Sequence, residues 1–334
     1  MKVSIILYEE AVLSAVSSAI DLFNGANQAM RRQSTKRKDF FELSLVSATT
    51  NNLYITGARF KCAKILKDNP SADLVIVPPF TGKSVNVIAN NGALVKWLSK
   101  INCKRTEVAS LCLGSYFLAE ARLLDGKEAT SHWMAISDMQ SKYPLIKVLP
   151  DAVITDYRGI YTSGGAFSSL NLILYMVEKF AGHQIAIELS REFSIDIDRV
   201  SQGYFALFQG QRNHTDEKIH KAQSYIEKNY NKEISVDQVA SYCNMSRRNF
   251  VRRFKGAAQN TPLEYIQRVK IESAKKRFEN GQNDVVSVML HVGYNDHKSF
   301  RSLFKRMTGL NPQAYCKKYA TNIPDSGVAS RLTH

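Results

Sequence analysis

Two stretches near the end of the chain follow one plan: SVDQVASYCNMSRRNFVRRFK at residues 235–255 and DVVSVMLHVGYNDHKSFRSLFK at residues 284–305. Each begins with small or branched apolar residues and ends in a basic segment. Between the two parts lies Asn244 in the first stretch and Gly293 in the second. Asparagine and glycine tolerate the left-handed backbone that a tight turn requires. The plan therefore predicts two helix–turn–helix units.

The second helix of each unit is predicted to bury aromatic residues and expose basic ones. Phenylalanines recur at the i, i+4 spacing of one helical face, at Phe250, Phe254, Phe300 and Phe304. Basic residues then lie on the other faces, where they can enter a major groove or bind phosphates. Arg248 and Arg252 are the sharpest base-reading candidates, because arginine contacts guanine through two hydrogen bonds. The outer basic residues are Arg247, Arg248, Arg252, Arg253, His297, Lys298, Arg301 and Lys305.

A single basic helix is as well explained by a solvated surface as by a DNA contact. Two such helices with matching turns favour DNA. We expect these helices to begin after the N-caps Ser246 and Asn295. Between the units, a helix from Pro262 to Asn280 is predicted, about 28 Å long at the usual rise. This length approaches one turn of B-DNA, about 34 Å, so we expect the units to enter successive major grooves.

Charge and cysteine content agree with a DNA-binding protein of a reducing compartment. Residues 211–334 hold 22 Lys and Arg against 11 Asp and Glu, which is +11 of the total +15. Five cysteines without a Cys-x-x-Cys pair argue against a structural zinc site or a disulfide framework. The sequence has no apolar run as long as a membrane span, and its first residues do not resemble a secretory signal. We therefore expect a cytoplasmic protein, and no metal or cofactor is predicted.

The first 205 residues show a different pattern, in which strands alternate with helices. This alternation is typical of an α/β fold with a mainly parallel sheet. Strands are expected at Lys2–Tyr8, Phe41–Ser47, Leu74–Pro78, Glu107–Leu111, Val153–Thr155 and Gly159–Thr162, and helices at Ala15–Met30, Val85–Lys100, Ser115–Leu124 and Phe167–Phe180. The polar segment Gly210–Thr215 is the best linker candidate. The predicted organisation is an α/β domain at 1–205, a linker at 206–216, an all-α domain at 217–320 and a flexible tail at 321–334.

One cysteine directly follows a predicted strand, in the segment Ser110–Ser115 (SLCLGS). At a turn from strand to helix, the helix dipole and free amides can lower the pKa of the Cys112 thiol. His132 could then act as its base. The alternative is a buried cysteine and a packed histidine. The local sequence favours this alternative, because the third, orienting group of a triad cannot be identified.

Residues from about 216 to 320 resemble the DNA-binding domain of the AraC/XylS family of bacterial transcription regulators. The matching motifs are SRRNFVRRFK from Ser246, P-x-x-Y-I-x-x-x-K from Pro262, V-G-Y-x-D-x-x-S-F-R-x-x-F-K from Val292, and G-x-N-P-x-x-Y from Gly309. The resemblance implies base contacts at Arg248, Val251, Arg252, His297, Lys298, Arg301 and Ser302, and RNA polymerase as a further partner. Asn244 departs from the family, which usually has glycine in this turn.

Residues 1 to about 200 resemble the DJ-1/PfpI domain of the GlxA subgroup of these regulators, a class I glutamine amidotransferase-like, flavodoxin-like sandwich. The resemblance lies in Ser110–Trp133, Tyr161–Gly165 and the Leu170–Val177 helix. It implies that Cys112 occupies the nucleophile-elbow position with His132 near it. In many members an acidic residue approaches this cysteine. Here Ala15 stands at that position, although Glu9 and Glu10 are close in sequence.

These resemblances imply a transcription regulator, an activator, rather than an enzyme. The N-terminal domain would bind a small metabolite, with nitrogen-containing compounds as the expected class, and would mediate homodimerisation. The predicted effector pocket is lined by Cys112, Leu113, His132, Ser163, Gly164 and Gly165. One alternative is a cysteine-dependent amidohydrolase or redox-responsive enzyme with a DNA-binding tail. A weaker one is a dimerisation platform without a ligand.

Overall fold

The computed structural model describes residues 1–33, 38–68, 70–165, 168–195, 212, 214–258 and 260–319. The chain divides into two compact units, Met1–Gly203 and Tyr204–His334. Most of the predicted linker at 206–216 lies outside the described residues, as does the whole predicted tail at 321–334.

A mainly parallel sheet forms the centre of the N-terminal unit. The described strands of this unit are β1 (Lys2–Leu7), β2 (Glu42–Ser47), β3 (Asn52–Ile55), β4 (Ala58–Lys61), β5 (Lys64–Ile65), β6 (Leu74–Val77), β7 (Glu107–Ser110), β8 (Glu128–Ala129), β9 (Lys147–Val148), β10 (Ile154–Tyr157) and β11 (Ile160–Ser163). Seven of them form one sheet in the order β10-β11-β7-β6-β1-β2-β5, in which only β10 and β11 pair antiparallel. The predicted α/β class with a mainly parallel sheet is confirmed.

Helices cover this sheet because its central strands are apolar on both faces. All four residues of β6 (LVIV) are buried, and only the first residue of β1 is exposed. The described helices of this unit are α1 (Leu13–Gln33), α2 (Ser84–Asn90), α3 (Gly92–Leu98), α4 (Ser115–Glu120), α5 (Ile136–Lys142), α6 (Ser168–Ala181) and α7 (His183–Glu192). Of these, α1, α6 and α7 pack on one another.

Two predicted helices of this unit differ from those observed. The expected helix at 85–100 is interrupted at Asn91. The Asn91 side chain donates hydrogen bonds to the Val87 carbonyl and to Glu10, both at 2.9 Å. The expected helix at 115–124 ends at Glu120, and Arg122 follows with a left-handed φ of 61°. The hairpin of β3 and β4 and the helices α5 and α7 were not predicted.

Over the described residues, the C-terminal unit is entirely helical. Its helices are α8 (Glu217–Asn229), α9 (Val236–Tyr242), α10 (Arg247–Ala258), α11 (Pro262–Glu279), α12 (Val285–His291), α13 (His297–Thr308) and α14 (Pro312–Tyr319). Two separate cores hold them together. The first joins α8, α9 and α10 to the first half of α11, and the second joins α12, α13 and α14 to its second half. The predicted pair of helix–turn–helix units on one linker helix is confirmed.

The linker helix α11 has the predicted ends. The Thr261 side chain accepts a hydrogen bond from the Glu264 amide at 3.2 Å, and the Glu264 carboxylate accepts one from the Thr261 amide at 2.8 Å. The helix stops at Asn280, and Gly281 takes a left-handed φ of 87°. Two leucines of this domain lie outside its cores: Leu263 on α11 and Leu290 on α12 are 54% and 52% exposed.

Candidate DNA-binding surface and elbow site

The two turns have the predicted left-handed backbone but different surroundings. Asn244 has φ 52° and is exposed, so its side chain meets no obstacle. Gly293 has φ 72°, and a Cβ on it would lie 2.8 Å from the Lys232 carbonyl oxygen. This difference explains why the first turn accommodates asparagine, whereas the second turn requires glycine.

The basic helices begin at caps, one of which differs from expectation. The Ser246 hydroxyl accepts a hydrogen bond from the Asn249 amide at 3.4 Å, as predicted for α10. For α13, the cap is Asp296 rather than Asn295, and its carboxylate accepts a hydrogen bond from the Ser299 amide at 2.7 Å. An aspartate at this place also interacts favourably with the helix dipole. The predicted core phenylalanines are all buried: Phe250, Phe254, Phe300 and Phe304.

Three arginines of α10 face solvent. Arg248 is exposed. Arg252 is exposed and donates a hydrogen bond to the Asn249 side chain at 3.2 Å. Arg247 pairs with Asp237 at 3.0 Å, but both side chains are well exposed, and such surface pairs contribute little. Arg247 can therefore exchange this partner for a phosphate. Val251, implied by the family resemblance, is partly buried.

Arg253, also predicted to contact DNA, differs from these three arginines in having an ion-pair partner at the N-terminal cap of α8. Its guanidinium donates two hydrogen bonds to the Asp216 carboxylate, at 2.9 and 2.8 Å. Asp216 also caps α8 by accepting a hydrogen bond from the Ile219 amide at 3.2 Å. Burial, the largest single effect, raises the pKa of this carboxyl, but the hydrogen bonds from Arg253 and the Ile219 amide and the charge of Arg253 together outweigh it, and the pKa falls below its usual value. Arg253 therefore joins α10 to α8 instead of extending outward.

On α13, the predicted contact residues are all exposed: His297, Lys298, Arg301, Ser302 and Lys305. A polar cleft of about 390 Å³ adjoins them, lined by Gln267, Tyr294, Lys298, Ser299, Ser302, Leu303 and Arg306. Arg306 donates a hydrogen bond to the Gln267 side chain of α11 at 3.3 Å. The sequence interpretation missed Arg306, although its position one turn after Ser302 was a usable signal.

We predict that Arg306→Ala weakens DNA binding to a similar extent on every sequence. A positive charge beside Lys298 in an open cleft suits a backbone phosphate, which carries no sequence information. The slope of log affinity against log salt should fall by about 1. Fluorescence anisotropy over a salt series measures this slope. Lys317→Ala, an exposed position on α14, is the control, and an Arg306→Ala slope equal to wild type would contradict the prediction.

In the N-terminal unit, β7 ends at an abrupt turn into α4. Cys112 takes a left-handed φ of 52°, which is strained for a residue with a side chain. Gly114 follows, and a Cβ there would lie 2.5 Å from the Val77 carbonyl oxygen and 2.8 Å from that of Pro78. The predicted elbow is thus present, and its backbone passes directly over the end of β6.

Hydrogen bonds hold this elbow to its neighbours. The Cys112 amide donates to the Ser163 hydroxyl at 3.1 Å, because β7 and β11 are adjacent in the sheet. The Cys112 carbonyl accepts hydrogen bonds from the hydroxyls of Ser115 and Ser131, at 3.1 and 3.2 Å. Neither of these last two contacts was predicted. Ser131 is 19 residues from Cys112 and has no local sequence signal, whereas Ser115 is only three residues away, within the quoted segment.

The predicted pocket residues lie on neighbouring elements. Besides the contact of Ser163 with Cys112, a Cβ on Gly165 would lie 3.4 Å from the His132 ring, so this ring packs against the glycine backbone. The Gly164 amide donates a hydrogen bond to the Val153 carbonyl at 2.8 Å. Leu113 is partly exposed. Binding of an effector by this group stays a prediction.

The charge state of the site is unfavourable for a nucleophile. Burial raises the pKa of the Cys112 thiol to about 12, although the Leu113 amide acts in the opposite direction. Burial also lowers the pKa of His132, whose Nδ1 accepts a hydrogen bond from the Met134 amide at 3.2 Å. Within the described residues, no carboxylate is hydrogen-bonded to the thiol. The side chain of Glu10 is held by Asn90 and Asn91 at 3.0 and 2.9 Å.

The fold and these two sites together define a class: a regulatory protein in which an α/β domain precedes a double helix–turn–helix domain along the chain. The chain belongs to the DJ-1/PfpI family, whose model matches residues 1–179, more than half of the 334 residues. A second family model, a helix-turn-helix domain, matches residues 239–318. The C-terminal domain is of the AraC type.

Two similar proteins are named as HTH-type transcriptional regulators. The chain is 22% identical over 313 residues to the HTH-type transcriptional regulator GbdR of Pseudomonas aeruginosa, covering 93% of this chain and 83% of GbdR. It is 27% identical over 221 residues to the HTH-type transcriptional regulator CdhR of the same organism, covering 66% of each chain, just under two thirds.

A solved structure shows the same N-terminal fold. A protein of Vibrio parahaemolyticus described as a transcriptional regulator superposes with a TM-score of 0.50 at 17% identity, covering 58% of this chain and 98% of the other. Among the described residues, no helix combines the length and apolar character needed to span a membrane.

Proposed function

We propose that this protein is a bacterial transcription regulator that binds promoter DNA in a sequence-specific manner and responds to a small metabolite. The observation that carries the proposal is the pair of helix–turn–helix units on one linker helix, each with a solvent-facing basic helix. The relatives GbdR and CdhR, both named as transcriptional regulators, support it. Binding to promoter DNA would place the protein in the bacterial cytoplasm, at the nucleoid.

The DNA-binding part of the proposal is tested by selection. The full chain is incubated with random-sequence duplexes, and bound DNA is enriched and sequenced. We expect an asymmetric motif with two boxes about one helical turn apart, because α11, about 27 Å long, joins two units with different basic residues. Failure to enrich any motif at moderate salt would refute sequence-specific binding.

The effector would bind beside the elbow, against Cys112, Leu113, His132 and the segment Ser163–Gly165. Two hydroxyls at the start of α6, those of Ser168 and Ser169, are buried without a hydrogen-bond partner among the described residues. A buried hydroxyl without a partner costs about 1–3 kcal/mol, which a polar effector bonded to it would offset. Both hydroxyls can accept from an amine and donate to a carboxylate, so they are compatible with the nitrogen-containing metabolite proposed as the effector.

The effector can be sought through the stability of the N-terminal unit. Both tryptophans of the chain, Trp97 and Trp133, lie in this unit, so tryptophan fluorescence follows its unfolding. An effector present at 100 times its Kd should stabilise the unit by about 2.7 kcal/mol. If no member of a broad panel of amines and amino acids raises the melting temperature, the ligand-free dimerisation platform becomes the better hypothesis.

The regulatory mechanism requires differential affinity. An effector shifts the chain toward a DNA-binding state only if it binds that state more tightly. We propose that the regulator acts as a homodimer and as an activator that contacts RNA polymerase. Sedimentation of the full chain with and without DNA tests the dimer, and transcription in vitro from a promoter carrying the selected motif tests activation.

The N-terminal domain is proposed to be non-catalytic, and Cys112 provides the test. Because burial raises the pKa of this thiol to about 12, the thiol is protonated at pH 7. We predict that native Cys112 reacts with iodoacetamide far more slowly than Cys103, which is partly exposed. Mass spectrometry of the alkylated chain from pH 6 to 10 measures both rates.

This experiment also separates the two classes of function. A cysteine-dependent amidohydrolase or redox-responsive enzyme needs an accessible thiolate near neutral pH. Rapid alkylation of Cys112 at pH 7, with an inflection below pH 8, would support the enzyme and contradict the non-catalytic proposal. The denatured chain, in which all five cysteines should react alike, is the control.

A further inference from the structure

One lysine of the linker helix is buried where the two DNA-binding units meet. Lys270 is 5% exposed, and lysine is almost never buried without a partner. Its neighbours along α11 belong to different cores: Ile266 packs in the first and Ile271 in the second. Lys270 therefore lies at the junction of the two units.

The ammonium group of Lys270 contacts both helix–turn–helix units at once. It donates a hydrogen bond to the Lys232 carbonyl, between α8 and α9, at 3.0 Å, and another to the Gly293 carbonyl, in the turn of the second unit, at 2.9 Å. It also lies 5.0 Å from the centre of the Tyr294 ring, within the range of a cation–π contact. Hydrogen bonds made by a charged donor are stronger than neutral ones.

The backbones of the two units also touch beside this lysine. A Cβ on Gly293 would lie 2.8 Å from the Lys232 carbonyl oxygen and 3.0 Å from that of Asn231. The turn of the second unit thus rests on the loop between α8 and α9 of the first. A close backbone contact with charge-assisted hydrogen bonds leaves the second unit little freedom to rotate about α11.

We propose that Lys270 is a positioning residue that sets the spacing between the two DNA boxes the protein can bind. This inference rests on the proposed DNA-binding function. Two linked binding units gain affinity from their effective concentration, which is highest when their geometry matches the target. A fixed junction therefore raises the affinity for DNA with one spacing between the boxes and lowers the affinity for DNA with other spacings.

The test uses the full chain and a duplex selected by the wild-type protein from random DNA. Four duplexes are compared: the native one, two with one base pair added to or removed from the spacer, and one with the second box scrambled. Lys270→Met keeps most of the stem and removes the charge and both donors. We expect it to bind the native duplex about tenfold more weakly than wild type. Its penalty for altered spacing should shrink, and its affinity for the single-box duplex should be unchanged.

The control is Lys276→Met, which removes the same charge from an exposed position of α11. It should weaken binding equally on all four duplexes. Lys270→Gln, which can keep one of the two hydrogen bonds, should fall between wild type and Lys270→Met, and it tests the inference if the methionine variant does not fold. A folded Lys270 variant with the wild-type spacing penalty would overturn the inference. If wild type selects no duplex, the proposed function itself fails.

Discussion

Arg248→Ala is expected to weaken binding to the selected duplex by about 1–3 kcal/mol, which is roughly 5- to 150-fold in Kd. Arg248 is exposed on the second helix of the first unit, beside the buried Phe250 that fixes the orientation of this helix. A bidentate contact from arginine to guanine discriminates against other bases. The loss should therefore be large on the selected duplex and small on a scrambled one.

Anisotropy titrations with both duplexes at fixed salt measure this difference. Lys228→Ala, which removes an exposed charge from α8, is the matched control and should change both affinities little. Arg252→Ala should behave as Arg248→Ala does. An equal loss on both duplexes would reassign Arg248 to a phosphate contact, and no loss on either duplex would remove it from the interface.

Gly114→Ala should destabilise the N-terminal unit by roughly 3 kcal/mol, the upper part of the range for overpacked interiors. The new methyl group would lie 2.5 Å from the Val77 carbonyl oxygen and 2.8 Å from that of Pro78, and neither backbone atom can move without disturbing β6. The φ of Gly114 is −56°, so the cost arises from crowding and not from the backbone conformation.

Urea unfolding followed by tryptophan fluorescence measures this loss, because Trp97 and Trp133 both lie in the N-terminal unit. Gly92→Ala, at the start of α3, is the control: a Cβ there meets no atom within 4 Å. That variant should be neutral or more stable by up to about 1 kcal/mol. A Gly114→Ala midpoint equal to that of Gly92→Ala would show that the elbow can relax, contrary to the prediction.

The local structural features that were predicted correctly depend on short-range patterns. The phenylalanine spacing, the turn residues Asn244 and Gly293, and the ends of the linker helix at Pro262 and Asn280 each involve residues within one or two helical turns. Such patterns are legible in a sequence because local backbone geometry decides them. Where two neighbouring residues could both cap a helix, as Asn295 and Asp296 could, local pattern did not decide between them.

The side-chain roles that could not be predicted depend on residues distant in the chain. Arg253 resembles its basic neighbours in sequence, but its partner Asp216 is 37 residues away. Lys270 contacts a carbonyl 38 residues away. Periodicity gives the face of a helix that a residue occupies, but not which distant atom lies opposite that face. Tertiary packing alone gave these two cations their hydrogen-bond partners within the protein.

The same division holds for the whole protein. Residue pattern and charge were sufficient to predict an α/β domain followed by two helix–turn–helix units on a linker helix, because each of these features repeats over a few residues. Three features arose only on folding: the protonation of Cys112, the need for glycine at position 293, and the joining of the two helix–turn–helix units by Lys270. Each of them depends on burial or on close approach between segments, and these are properties of the assembled chain rather than of any stretch within it.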